Sequence, residues 1–195
     1  LRHHDRLMRA SISDEMAAME SLSPDAAAIS NAVNGAPLRR FVKEGVKLRC
    51  NSAISRQDPL IADWINRVAT SYRAPEEQSK VLVLLPCSAR KPYSMSQSHR
   101  RFRRSLRHRP LHEVMVTAPL GLVPRELEEL WPAGHYDIPV SGDWDGDELD
   151  TIRTLVKAIV ANNGYQLVIN HSDVEIDATE IDAEVIDSRQ GEGAG

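Results

Sequence analysis

The sequence predicts an α/β fold: three layers, with a mostly parallel sheet carrying helices on both faces, preceded by a small helical region. Three observations predict it. Val81-Leu82-Val83-Leu84-Leu85 is apolar at every position, as a central parallel strand covered on both faces must be. Two more short apolar runs follow, Val114-Met115-Val116 and Leu167-Val168-Ile169. The stretches between these runs show helical spacing, and strand, helix, strand, helix, strand argues for crossover connections in one sheet.

Taken in order, Met8, Ile12, Met16 and Met19 recur at helical spacing within residues 1–20. Ser23-Pro24 reads as a cap plus first-turn proline, and Asn34-Gly35 ends that second short helix. Phe41 to Leu48 is ambiguous, with Glu44-Gly45 able to turn a small hairpin. Asp58-Pro59 opens an amphipathic helix with Ile61, Trp64, Ile65, Val68 and Tyr72 on one face. Arg73 to Ser79 is a polar linker containing Pro75, and the main break is expected there. A loop from Pro86 to Met95 then leads to a helix from about Ser96 to Arg107. The second strand ends at Thr117-Ala118-Pro119, Pro124 starts a short helix to Leu130, and Ile138-Pro139-Val140 is extended. Asp147 is expected to cap a strong helix with Ile152, Leu155, Val156, Ile159 and Val160 inward, closed by Gly164. The division expected is a helical lead-in over 1–79, an α/β domain over 80–172, and an acidic tail over 173–195. That tail reads as an edge strand or a linker, with its last five residues disordered.

The chain has 195 residues, 24 basic and 28 acidic side chains, and 42% hydrophobic content, enough for a real core. No apolar run approaches the ~18 residues that cross a bilayer, and no signal peptide is expected, so the reading is cytoplasmic. Cys50 and Cys87 stand far apart in no CxxC pattern, which excludes a cysteine zinc cluster or a disulfide framework within the chain. A first residue other than Met points to a segment of a longer protein. The net charge of −4 conceals an asymmetry: from Asp173 onward eight acids face one base, Arg189. His99 to Arg109 holds six arginines, and a polyanion partner is expected there.

Ligands of open α/β sheets bind beyond the carboxyl ends of the strands, where three polar loops would converge. These are Pro86 to His99, Thr117 to Pro124, and Asn170-His171-Ser172. The first is richest in reactive groups. A cysteine near cations and a helix N-terminus tends toward the thiolate, the form that attacks electrophilic carbon; the alternative for Cys87 is a small buried residue at a strand end. Asp143 to Glu148 alternates acids but fails the EF-hand pattern, and His112-Glu113 lacks the second histidine of a metalloprotease motif, so no metal site is assigned.

Pro86-Cys87, Lys91-Pro92-Tyr93, Ser96 and His99 reproduce a PCxxxKPYxxSxxH pattern. The pattern resembles the signature of archaeosine synthase, the archaeal tRNA-modifying paralogue of tRNA-guanine transglycosylase. Val123 to Glu128, Pro132 and Tyr136 to Trp144 are similar to the same family's domain, and the resemblance covers roughly Lys80 to His171. It implies action on tRNA carrying 7-cyano-7-deazaguanine in its D-loop, adding a free amino acid (lysine, or glutamine) to the nitrile. A nitrile carbon is a weak electrophile, so the reaction needs a thiolate or a deprotonated amine, with donors for the developing charge on nitrogen. On this reading Cys87 is nucleophile or nitrile contact and His99 a proton shuttle, while Lys91 and Tyr93 position substrate or polarise the nitrile. Pro86, Ser88, Pro92 and Ser96 complete a substrate-binding loop, with Asp137 and Trp144 contacting base or substrate. Arg100, Arg103, Arg104 and Arg107 share a helix face suited to tRNA phosphates. The transglycosylase barrel with its zinc site and the RNA-binding PUA domain are expected in cis or trans, and no cofactor is assigned to this segment. Two other readings stay open: a non-catalytic RNA-binding or scaffold domain, and a nucleobase glycosylase-like enzyme.

Overall fold

The computed structural model describes residues 48–49, 58–78, 80–130, 132–134, 136–137 and 144–189. The helices expected before residue 47, the extended piece at 138–140 and the last five residues lie outside them. The described elements are β1 (Leu48–Arg49), α1 (Pro59–Thr70), β2 (Val81–Pro86), α2 (Gln97–Leu106), β3 (Leu111–Thr117), β4 (Gly121–Pro124), β5 (Tyr136–Asp137), α3 (Gly146–Asn163), β6 (Leu167–Asn170) and β7 (Glu184–Asp187).

Five strands form the main sheet in the order β4-β3-β2-β6-β7. β2 is central and pairs in parallel with β3 and β6, Leu84 lying opposite Val114 on one side and Asn170 on the other. Its four inner residues are buried, consistent with cover on both faces. From β2 the chain crosses through α2 to β3 on one side, then returns through α3 to β6 on the other. Right-handed crossovers in opposite directions put α2 and α3 on opposite faces, the three-layer arrangement. A separate two-residue parallel pairing joins β1 to β5, and the hairpin turn expected at Glu44-Gly45 lies outside the described residues.

Asp58 caps α1 by accepting from the Leu60 backbone N–H at 2.9 Å, with Pro59 in the first turn. Ile61, Trp64 and Val68 are buried from this helix. They share one core cluster with the sheet residues Leu82, Leu84, Val114 and Leu122, so the helix packs on the sheet although it precedes the polar stretch at Pro75. The Trp64 indole Nε1–H donates to the Leu122 carbonyl at 3.0 Å, fastening α1 to β4. Burying one such large apolar side chain stabilises by about 1.5–3 kcal/mol.

Two local expectations are corrected. Pro124 does not begin a helix: residues 121–124 are β4, antiparallel to β3, and only a 3-10 turn, Arg125–Leu127, follows. Gly121 has φ +73°, which L side chains rarely adopt, and this reverses the chain after Pro119 so that Leu122 and Val123 pair with Val116 and Met115. Asp145, not Asp147, caps α3, accepting from the Glu148 N–H at 2.8 Å while the Glu148 carboxylate accepts from the Asp145 N–H at 3.1 Å. That reciprocal pair satisfies two orphan donors, which a cap at Asp147 would not. Gly164, φ +64°, closes the helix as expected. The acidic tail resolves to an edge strand, β7, parallel to β6. No helix among the described residues is long and apolar enough to cross a membrane.

Candidate active site

The carboxyl ends of β2 and β3 lie side by side, Pro86 opposite Val116, so Cys87 and Thr117 leave the sheet as neighbours. Cys87 is half-buried, and the Thr117 hydroxyl stands close enough to its thiol to lower its pKa. The Thr117 hydroxyl bonds to the Tyr136 hydroxyl, which bonds to that of Tyr93. Tyr93 and Tyr136 are both buried. Lys91 completes the group: its ammonium is buried, 4.2 Å from the centroid of the Tyr136 ring and 5.6 Å from that of Tyr93. A desolvated ammonium over an aromatic face gains about 2 kcal/mol, so the rings compensate part of the cost of burying it.

Electrostatics alters one expectation. Burial pushes the Cys87 thiol up, the nearby Lys91 charge pulls it down, and Asp173 adds to the upward shift. Desolvation wins, so the resting sulfur is a thiol rather than the thiolate expected of a cysteine beside cations. Burial raises both tyrosines as well, which keeps them protonated and able to donate. The result is a neutral S–H beside a fixed cation and a chain of three hydroxyls, suited to adding a thiol across a polar multiple bond and feeding a proton to the far atom.

His99 packs its ring against Tyr93, centroids 5.3 Å apart, but turns its nitrogens to the scaffold. Its ring is buried, Nε2 lies 3.0 Å from the Pro86 carbonyl, and Nδ1 lies 3.0 Å from Arg125 Nη2. A carbonyl only accepts and a guanidinium only donates, so the ring is neutral with its proton on Nε2. Burial first, and then the Arg125 charge, lower its pKa to about 4. With both nitrogens engaged by the scaffold, His99 positions the loop; the proton-shuttle role expected from the sequence has no free nitrogen to serve it. Arg125 also contacts Glu113 at 2.6 Å and Glu128 at 2.9 Å, and Glu128 in turn accepts from the Ser94 N–H at 3.0 Å. The loop is thereby held at Pro86, at Ser94 and at His99 by one guanidinium on the turn after β4. Ser96 serves the same scaffold, capping α2 by accepting from the His99 N–H at 3.2 Å.

Of the remaining expected residues, Ser88 donates to the Arg90 carbonyl at 3.0 Å, within the loop itself. Pro86 ends β2, and Pro92 follows Lys91 through a cis peptide bond. Trp144 packs partly buried against the core beside the start of α3, at the carboxyl end of the sheet, and its Nε1 is buried without a hydrogen-bond partner among the described residues. Asp137 follows Tyr136 in β5. Arg100, Arg103 and Arg104 on α2 and Arg107 at its C-cap are exposed and line a separate cleft. The short motif does not contain Thr117, Tyr136, Arg125 or Glu128; the last three fall within the longer similar stretch, and Thr117 is marked only by its place at the end of a strand. Among the described residues no group of three His, Cys, Asp or Glu side chains is placed to hold a metal ion.

A family profile described as "Domain of unknown function (DUF5591)" matches residues 61–193. The chain is 44% identical over 111 residues to a protein named archaeosine synthase from Haloferax volcanii, a match covering 57% of this chain and 18% of that protein. It is 42% identical over 123 residues to archaeosine synthase subunit alpha of Methanosarcina acetivorans, covering 62% and 19%. With the subunit alpha of Thermoplasma acidophilum it shares 39% identity over 124 residues, covering 63% and 24%. The match therefore spans about a fifth of the length of these relatives.

Proposed function

The chain belongs to the DUF5591 family, and from that membership we propose that it is the nitrile-modifying domain of an archaeosine synthase-like transferase acting on tRNA. The observation that carries the reading is the convergence of the Cys87 thiol, the Lys91 ammonium and the Thr117–Tyr136–Tyr93 hydroxyls at the carboxyl end of the sheet. Relatives named archaeosine synthase share 39–44% identity with it. The substrate is the nitrile of 7-cyano-7-deazaguanine in the tRNA D-loop, and the co-substrate an amino acid amine, lysine or glutamine.

In the proposed sequence the Cys87 sulfur bonds to the nitrile carbon, one C–N π bond breaks, and the thiol proton passes to the nitrile nitrogen through the neighbouring hydroxyls. The product is a thioimidate. Lys91 stabilises negative charge on sulfur as the S–H bond breaks, a contribution that grows in the transition state because the site is desolvated. The free amine then attacks the same carbon, the C–S bond breaks, and sulfur recovers a proton from the amine. The net change is addition of an amine N–H across the nitrile, giving an amidine. Arg125 and His99 keep the loop in register for this chemistry.

Incubating the protein with nitrile-bearing tRNA and each amino acid, then weighing the nucleoside, tests the reading. A mass gain equal to the amino acid is expected, with loss in Cys87→Ala, and an acid-quenched Cys87 adduct on the protein. Binding without mass gain would assign a scaffold role instead, base release would assign glycosylase chemistry, and full activity of Cys87→Ala would remove the covalent route.

A further inference from the structure

Away from the motif loop, α2 and the start of β3 enclose an open cleft of about 530 Å³. Six arginines line it: Arg125, which is paired with Glu113 and Glu128, and five others, Arg100, Arg103, Arg104, Arg107 and Arg109. The acid in its wall, Glu113, is already engaged by Arg125 at 2.6 Å, so it leaves the five cations uncompensated. Among the described residues none of those five side chains makes an ion pair. We propose that this cleft binds the phosphodiester backbone of an RNA strand, and that the strand runs along α2 toward the motif loop. The choice of RNA as the polyanion rests on the tRNA-modifying reading above.

Geometry favours a strand over a compact anion. Arg100, Arg103 and Arg104 fall at positions i, i+3 and i+4 on the helix, and Arg107, its C-cap residue, follows at i+7, so the four make one stripe. At 1.5 Å per residue that stripe is about 10 Å long, enough to meet more than one phosphate of a strand laid along it. A single phosphate or pyrophosphate would engage only one end of it. The helix begins at Gln97, directly after the motif loop, so a backbone following the stripe is led to the carboxyl end of the sheet. Arg101 lies on the same helix but outside the cleft, which supplies an internal control.

The test measures binding of the full chain to an unmodified tRNA transcript, which carries no nitrile, across 50–200 mM salt. Arg103→Ala/Arg104→Ala is expected to weaken binding and to flatten the plot of log affinity against log salt by roughly 1.4, at 0.7 for each single-strand phosphate no longer neutralised. Arg101→Ala is expected to change neither, and a thermal melt confirms that each variant folds. Equal effects of the two variants, an unchanged slope in the double variant, or competition by an acidic peptide or pyrophosphate as effective as by RNA would each overturn the assignment. Because the transcript lacks the nitrile, failure here leaves the chemistry at Cys87 standing. Failure of that chemistry leaves the RNA binding measured here standing too.

Discussion

Arg125 donates from Nη2 to Nδ1 of His99 across 3.0 Å, and that bond, with the Pro86 carbonyl at Nε2, sets the tautomer of the histidine. Its pKa falls to about 4, by burial and by the Arg125 charge, against ~6.5 for an unfolded histidine. The unfolded chain therefore binds the proton more readily than the folded one. His99 contributes stability that is complete above pH ~6.5 and is lost as pH falls toward 4, roughly 2–3 kcal/mol between pH 7 and pH 4.5. Urea unfolding at those two pH values should show the loss in the native chain and a smaller one in His99→Gln. Equal losses in both would place the acid-sensitive group elsewhere.

Removing the guanidinium itself should cost more. Arg125 serves Glu113 and Glu128, whose side chains are 15% and 7% exposed, as well as His99. Arg125→Ala leaves two shielded carboxylates without their partner and is expected to destabilise by about 3 kcal/mol. Arg125→Lys should recover only part of this, since one ammonium lacks the planar fork that reaches three acceptors. Denaturant midpoints that match the native chain would contradict the clamp.

A second polar group is buried beneath α1. The Tyr72 hydroxyl donates to Glu126 and lies 2.8 Å from His112 Nε2, while Tyr165 bonds to His112 Nδ1. Burial alone would raise the Glu126 carboxyl, but the His112 ring and hydrogen bonds from His112 and Tyr72 outweigh it and hold the pKa below the usual value. Its stabilising contribution is present above the unfolded pKa of ~4.3 and lost as pH falls below that. Glu126→Gln should flatten the acid limb of stability below pH ~4.3, and Tyr72→Phe should cost about 1–2 kcal/mol at neutral pH. Unfolding curves of the two variants across pH 3–7 decide it.

Gly121 is predicted to tolerate no side chain. Its φ of +73° is strained for any L residue, and a Cβ there would lie 2.4 Å from Leu155 Cδ1. Gly121→Ala should lower stability by about 1–3 kcal/mol, the sum of backbone strain and overpacking. Combining it with Leu155→Val should relieve the clash but not the strain. Additive losses in the double variant would show that the clash contributes nothing.

Cys87 should react slowly with alkylating agents. Burial raises its pKa, and Lys91 works against that rise, so at pH 8 in a Cys50→Ser background the carboxamidomethylation rate should fall below that of a free cysteine. Lys91→Met should slow it further, and the rate of both should climb above pH 9. A rate exceeding that of free cysteine at pH 7 would mean a resting thiolate.

Several features are written locally and were legible in the sequence. The unbroken apolar run at Val81–Leu85, the periodic faces of α1 and α3, the glycine that closes α3 and the arginine stripe on α2 each repeat within a few residues. Their meaning depends only on helix or strand period. The motif likewise marked where reactive groups cluster, since β2 and the helix after it determine which end of the sheet the loop occupies. The partners that decide what those groups do lie far off along the chain: Tyr136 is 43 residues from Tyr93, and Arg125 is 26 residues from His99. Only the folded sheet brings them together, by pairing β4 beside β3 through a turn at one glycine. Burial, which holds Cys87 as a thiol and makes His99 a scaffold residue, is a property of that packing, because desolvation is set by everything around a group and not by its neighbours in the chain.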